Sequence, residues 1–202
     1  MRLFGYDELD KFIKPLLMPA LLYYLIDRAA GKIYKKHLWI ATALIFAWIG
    51  DIMLLNKEQP FFLAGVASFL ITQAIYTYLF FTNRSGALGS AFNDNKMSTI
   101  IISVVYIVFI NLIFVNISGG LKFAVLIYAT TITLATASAF YQDKNIKGYQ
   151  FMCLGMSLFF VSDATIAIDM FIEPIPGATT IIMATYGVAQ YFIVEGLIRS
   201  LE

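Results

Sequence analysis

Seven apolar stretches, each about as long as a bilayer is thick, run through this chain and leave little of it over for anything else. They cover residues of about 12–29, 37–55, 60–82, 97–117, 121–141, 149–172 and 178–199. A helix needs about 20 mostly apolar residues to cross the hydrocarbon core. Between the stretches the sequence turns polar. Residues 28–36 hold Arg28, Lys32, Lys35 and Lys36, residues 56–60 are polar, and residues 83–96 are rich in Gly, Ser, Asn and Asp. Ser118-Gly119-Gly120 and the segments 142–147 and 173–177 mark the remaining turns. Apolar runs this long lack the two-residue alternation of barrel strands, so the spans are helices. With most loops short, successive helices are expected to be antiparallel neighbours. The expected fold is an all-α membrane protein with seven transmembrane helices, forming one domain over residues 1–202.

Composition agrees with this reading. Of 202 residues, 60% are hydrophobic and 13% charged, against about 45–50% and about 25% in a soluble domain. One core at this length cannot hide so much apolar surface from water. Lipid must be the solvent, which excludes a soluble enzyme and a disordered linker. A net charge of +1 with 14 scattered basic residues offers no footprint for nucleic acid. Cys153 is the single cysteine, so neither an intrachain disulfide nor a thiolate cluster is available. Residues 1–12 lack the apolar core of a signal peptide and are expected to be retained.

The basic residues set the orientation. One face of the membrane receives Arg2, Lys11, Lys57 and Lys122; the other receives Arg28, Lys32, Lys35, Lys36, Arg84, Lys96, Lys144, Lys147 and Arg199. The richer side belongs in the cytoplasm. The expectation is an integral protein of a bacterial plasma membrane, with the N-terminus outside and the C-terminus inside. His37, alone at a cytoplasmic helix start beside Lys35 and Lys36, is expected at the surface.

An ionisable side chain at the bilayer centre costs at least about 2.5–3.5 kcal/mol, so the few present are informative. Lys14 precedes Pro15, with Pro19 one turn later; Asp51 follows Gly50; Asp163 follows Ser162; Asp169 and Glu195 come later. Gln73 and Gln190 lie near the middles of the third and seventh stretches. Counted from the outer ends, Lys14 and Asp51 are roughly 5–6 Å deep, and Asp163 and the glutamines about 14–18 Å. One cavity opening outward would gather them, two carboxylates above and two amides below. Glu195 counts toward the cytoplasmic end and falls outside it.

Face arithmetic sorts these residues further. Gly65, Phe69, Gln73, Tyr76 and Phe80 form one stripe on the third helix, and Tyr186 and Gln190 share a face of the seventh. Asp169 is about 120° from Asp163 around the sixth helix and is expected at the interface. Plain packing accounts for the aromatic stripe equally well. Lys14 alternatively snorkels, Asp51 snorkels or caps a neighbour, and the glutamines act as interhelical hydrogen-bond glue. Asp163 is harder to place structurally, because its side chain is short and its helix runs well beyond it.

There is also an internal echo. Ile49-Gly50-Asp51 resembles Val161-Ser162-Asp163, and each is followed one helix later by a glutamine, at intervals of 22 and 27 residues. Helices 1–3 and 5–7 would run in the same directions about a connecting fourth. Such a 3+1+3 parallel pseudo-repeat sets equivalent residues around an axis along the membrane normal.

Taken in order, Lys14-Pro15-Leu16-Leu17-Met18-Pro19, Gly50-Asp51-Ile52-Met53-Leu54-Leu55, residues 65–76, Ser162-Asp163-Ala164 and residues 186–190 resemble the successive motifs of the YhhN/lysoplasmalogenase family. The ordered set spans nearly the whole chain from about residue 12. Family members carry eight membrane helices, of which this chain is expected to lack the first. They also carry a histidine where Gln73 stands, and glutamine hydrogen-bonds without shuttling a proton.

The resemblance implies hydrolysis of the vinyl ether of a lysoplasmalogen, releasing a fatty aldehyde and a glycerophospho-head group. Such chemistry uses a carboxylic acid to protonate the β-carbon and a carboxylate to stabilise the oxocarbenium ion and orient water. On this basis Asp163 is the acid and Asp51 the carboxylate, in roles that are exchangeable at this stage. Lys14 would pair with the substrate phosphate, while Gln73, Tyr76, Tyr186 and Gln190 would line the substrate site. No cofactor or metal is called for, and the partners are a lysophospholipid substrate and membrane lipid. A small seven-helix transporter or proton-coupled carrier is the competing reading. A retinal protein is excluded by the absence of lysine from the last helix.

Overall fold

The computed structural model of the chain describes residues 6–56, 58–84, 95–117 and 119–202, with side chains from residue 15 onward. Seven helices occur in the order α1 (Tyr6–Ala29), α2 (Lys35–Met53), α3 (Gln59–Thr82), α4 (Lys96–Phe114), α5 (Leu121–Phe140), α6 (Tyr149–Phe171) and α7 (Ala178–Arg199). No strand occurs among the described residues. Helices α2 to α7 are each long and apolar enough to cross a membrane, and the protein is an all-α membrane protein. The lipid-facing character is plainest on α4, where Ile100, Ile101, Val104, Ile107, Val108 and Leu112 are all exposed.

Boundaries shift where hydropathy and helix formation part company. α1 is already helical at Tyr6, ahead of the apolar stretch that begins near residue 12. α4 ends at Phe114 although the next residues stay apolar. There the Asn116 side chain donates to Leu112 O at 2.8 Å and competes for the carbonyl that a further turn would use.

The chain forms two compact units, Met1–Ile75 and Tyr76–Glu202, with the division inside α3. In the first unit, Pro15 and Pro19 lie inside α1. Pro19 has no N–H to give to Pro15 O, so that carbonyl is left without its helical partner. Trp48 Nε1 of α2 supplies the missing donor at 2.8 Å. α3 is fastened to α2 by Ser68 Oγ, donating to Phe46 O at 2.6 Å, and Thr72 Oγ1, donating to Ala43 O at 3.2 Å. Gly50 allows close approach here: a Cβ at this position would lie 2.6 Å from the Phe69 ring.

His37 corrects the surface expectation. It is buried, its Nδ1 accepts the Tyr34 N–H at 3.0 Å, and the two rings stack at 5.6 Å. It sits at the third position of α2 and satisfies a backbone donor near the helix start, the role usually taken by Glu or Gln.

In the second unit, α6 and α7 pack most intimately. A Cβ at Gly155 would lie 2.9 Å from Ala189 O, and one at Gly148 would collide with Gly196 O. Gly148 also has φ +83°, a conformation that disfavours any side chain. Ser162 Oγ donates to Ile182 O at 3.2 Å. α5 joins α6 through Cys153 Sγ to Ala139 O and Tyr149 OH to Phe140 O, both at 3.3 Å. α4 joins α5 through hydroxyl pairs, Thr99 with Tyr141 at 2.8 Å and Tyr106 with Thr130 at 3.0 Å.

The proline account of α1 is testable. Trp48→Phe should lower unfolding free energy in detergent by roughly 1–3 kcal/mol, the cost of an unsatisfied buried carbonyl. Pro19→Ala restores an N–H to that carbonyl, so in its background Trp48→Phe should cost measurably less. Equal costs in the two backgrounds would show that the indole does not serve the proline gap.

Candidate functional site

The candidate residues divide between the two units. In the first, Asp51 stands near the C-terminal end of α2 and is 7% exposed. Its predecessor Gly50 lies beneath the Phe69 ring, which fixes this turn of α2 against α3. Gln73 is fully buried in α3. Lys14 belongs to α1, and its side chain lies outside the described residues. The predicted stripe Gly65, Phe69, Gln73, Tyr76 and Phe80 is buried throughout. Part of it is plain packing, since a Cβ at Gly65 would lie 2.8 Å from Leu54.

In the second unit two sets of candidate residues can be followed to their partners. Tyr76 OH donates to Gln190 Oε1 at 2.6 Å, and both residues are fully buried. Gln190 lies one turn beyond Tyr186 on α7, and the Tyr186 ring meets Phe159 of α6 edge-on at 5.5 Å. The Tyr76 ring stacks on Phe80 at 6.2 Å. Tyr76, Tyr186 and Gln190 thus belong to one aromatic-walled interior. The tyrosine holds the oxygen end of the amide, and Nε2 is buried with no hydrogen-bond partner among the described residues. Two N–H donors are therefore presented to whatever acceptor enters.

Asp163 is the other centre. It is half-buried in α6, and Tyr128 OH of α5 donates to its Oδ2 at 2.6 Å. Among the described residues this is its one hydrogen bond, and no basic side chain pairs with it. Oδ1 has no hydrogen-bond partner among the described residues. No hydrogen bond joins Asp163 to Tyr76, Tyr186 or Gln190, so the second unit presents a carboxyl and an amide as separate features.

The remaining charged residues of α6 and α7 have structural partners. Asp169 Oδ1 accepts the Ile175 N–H at 2.7 Å and ties down the turn before α7. Glu195 is buried and salt-bridged to Arg199, whose guanidinium lies 4.5 Å from the centre of the Phe151 ring. Tyr128 is the residue that pattern reasoning passed over. Its depth in α5 matches that of Asp163 in α6, and this was the available signal. A tyrosine in an apolar run reads by default as packing.

Residues 9–197 match the YhhN family. The chain is similar to lysoplasmalogenase TMEM86A of Bos taurus, with 27% identity over 174 residues, covering 81% of this chain and 66% of the relative. It is also similar to lysoplasmalogenase TMEM86A of Homo sapiens, with 26% identity over 168 residues and the same shares. The chain thus spans about 66% of the length of the curated relatives it matches. No solved structure matches it.

The Tyr76–Gln190 pair makes a direct prediction. Tyr76→Phe and Gln190→Leu should each destabilise the protein by roughly 1–3 kcal/mol, because each strands a buried polar partner. The double variant should lose less than the sum of the two. Thermal unfolding of the four proteins closes the cycle, and strict additivity would mean that the pair is not coupled.

Proposed function

From membership of the chain in the YhhN family, we propose that it is a membrane-embedded hydrolase acting on the vinyl ether bond of lysoplasmalogens. The products would be a fatty aldehyde and a glycerophospho-head group. The observation that carries the reading is Asp163, a carboxyl in a membrane helix with a neutral hydrogen-bond partner on one oxygen and no counter-charge among the described residues. A side chain costing at least about 2.5–3.5 kcal/mol to insert is retained there without an ion pair to explain it. The two relatives, both named lysoplasmalogenases, support the same substrate class.

In this reading Asp163 donates a proton to the β-carbon of the vinyl ether. Asp51 is the carboxylate that stabilises the resulting cation and orients water. Lys14, near the outer head-group level, pairs with the substrate phosphate. Tyr76, Tyr186 and Gln190 contact the substrate, with aromatic faces suited to an alkenyl chain and one amide suited to an oxygen. Gln73 contributes hydrogen bonding and no proton transfer. The substrate enters from the outer leaflet, with the C-terminus in the cytoplasm.

The test is aldehyde release from lysoplasmenyl-ethanolamine by purified protein. Wild type should release aldehyde, and Asp51→Asn and Asp163→Asn should each lose on the order of 100-fold or more while still folding. Well-folded wild type without activity, but with solute uptake in vesicles, would identify a carrier instead. Orientation is checked separately. A C-terminal reporter should be active on the cytoplasmic side, and a reporter signal from outside would reverse the topology.

A further inference from the structure

Tyr128 and Asp163 lie on neighbouring helices of the second unit, and the 2.6 Å bond from phenol to Oδ2 is at the short end for O–H···O geometry. The two helices do not depend on this bond for their attachment. Cys153 Sγ to Ala139 O and Tyr149 OH to Phe140 O already join them nearer the opposite end. What the phenol does fix is the carboxyl itself. Asp163 makes no other hydrogen bond among the described residues, so without Tyr128 nothing there would select one of its oxygens over the other.

We propose that Tyr128 is a positioning residue for proton transfer from Asp163: it occupies Oδ2, confines the transferable proton to Oδ1, and steadies the carboxylate that remains. The inference rests on the hydrolase reading above. In the step itself, the O–H bond at Oδ1 breaks and its electron pair stays on the carboxylate. The alkene π pair forms the new C–H bond at the β-carbon, and a lone pair of the ether oxygen fills the adjacent carbon to give the oxocarbenium ion. Water adds to that carbon and releases a proton to a carboxylate. The hemiacetal then separates into aldehyde and alcohol, so vinyl ether plus water balances. Tyr128 neither gains nor loses a proton. Its bond strengthens as charge develops, because hydrogen bonds to ionised acceptors are about twice as strong as neutral ones. It therefore stabilises the transition state more than the ground state.

Tyr128→Phe should lower kcat about tenfold and leave KM within about twofold. In an Asp163→Asn background, where no proton is delivered from this position, adding Tyr128→Phe should change the residual rate by less than about twofold. A merely structural tyrosine would lower the rate in both backgrounds. Infrared spectroscopy gives a readout independent of turnover. The carboxylic C=O band that vanishes in Asp163→Asn should move to higher frequency in Tyr128→Phe. Should that variant fold poorly, 3-fluorotyrosine at position 128, a stronger donor of nearly the same shape, should move the band to lower frequency. Aldehyde release by wild type with an unchanged kcat in Tyr128→Phe overturns the positioning role alone, as does a band that does not respond. No aldehyde from well-folded wild type overturns the hydrolase reading and this inference with it.

Discussion

A lipid solvent offers no hydrogen bonds, so every polar atom within the membrane must find its partner in the protein. That constraint explains most of the polar geometry of this chain. Thr42, Thr130, Thr131, Thr133, Thr136 and Thr165 all turn their hydroxyls back onto carbonyls of their own helices. Ser68, Thr72 and Ser162 reach across to a neighbouring helix. Pro19, which in water would only weaken a helix, here creates a carbonyl that a particular tryptophan must satisfy. The same rule makes Gln190 informative, since a buried amide with one end held and the other unmatched stands out against that background.

Where no hydrophobic force draws helices together, closeness of approach has to supply the association. The chain meets this with small residues at places where two backbones nearly touch. Gly148 and Gly196 meet at one end of the α6–α7 pair, and Gly155 meets Ala189 further along. The residue before each aspartate is used in the same way. Gly50 admits Phe69 of the following helix, and Ser162 bonds Ile182 of the following helix. In each motif the preceding residue fixes the turn that carries the carboxylate. A Gly-Asp and a Ser-Asp step arrive at this through different chemistry, one by omitting a side chain and the other by adding a hydroxyl.

The helices were legible in the sequence because a membrane span is a property of composition over about 20 residues, and composition is local. Their ends were less so. The end of α4 depends on one asparagine side chain, which hydropathy does not register. The buried stripe through Phe69, Gln73 and Tyr76 followed from spacing alone. The role of His37 did not, because capping by histidine depends on a ring position that its charged neighbours disguise. Trp48 and Tyr128 were also out of reach. Each acts on a residue 33 or 35 positions away, and such pairings need the fold before they can be seen.

The three carboxylates of α6 and α7 differ in their partners, and the proposed acid role of Asp163 turns on that difference. Glu195 has a guanidinium, so its charge is balanced and its geometry fixed. Asp169 has a backbone N–H in a turn, which holds an end of the helix and gives the carboxylate an ordinary structural use. Among the described residues Asp163 has only a phenol. A phenol orients a carboxyl whether it is protonated or ionised, whereas a cation favours only the ionised form and a proton donor beside it would lose its proton. A group that must pass through both states in each turnover is best served by a neutral partner that tolerates either. Of the three, Asp163 alone has that partner among the described residues, and this chemical distinction, more than its depth in the membrane, is the argument for the acid role proposed for it.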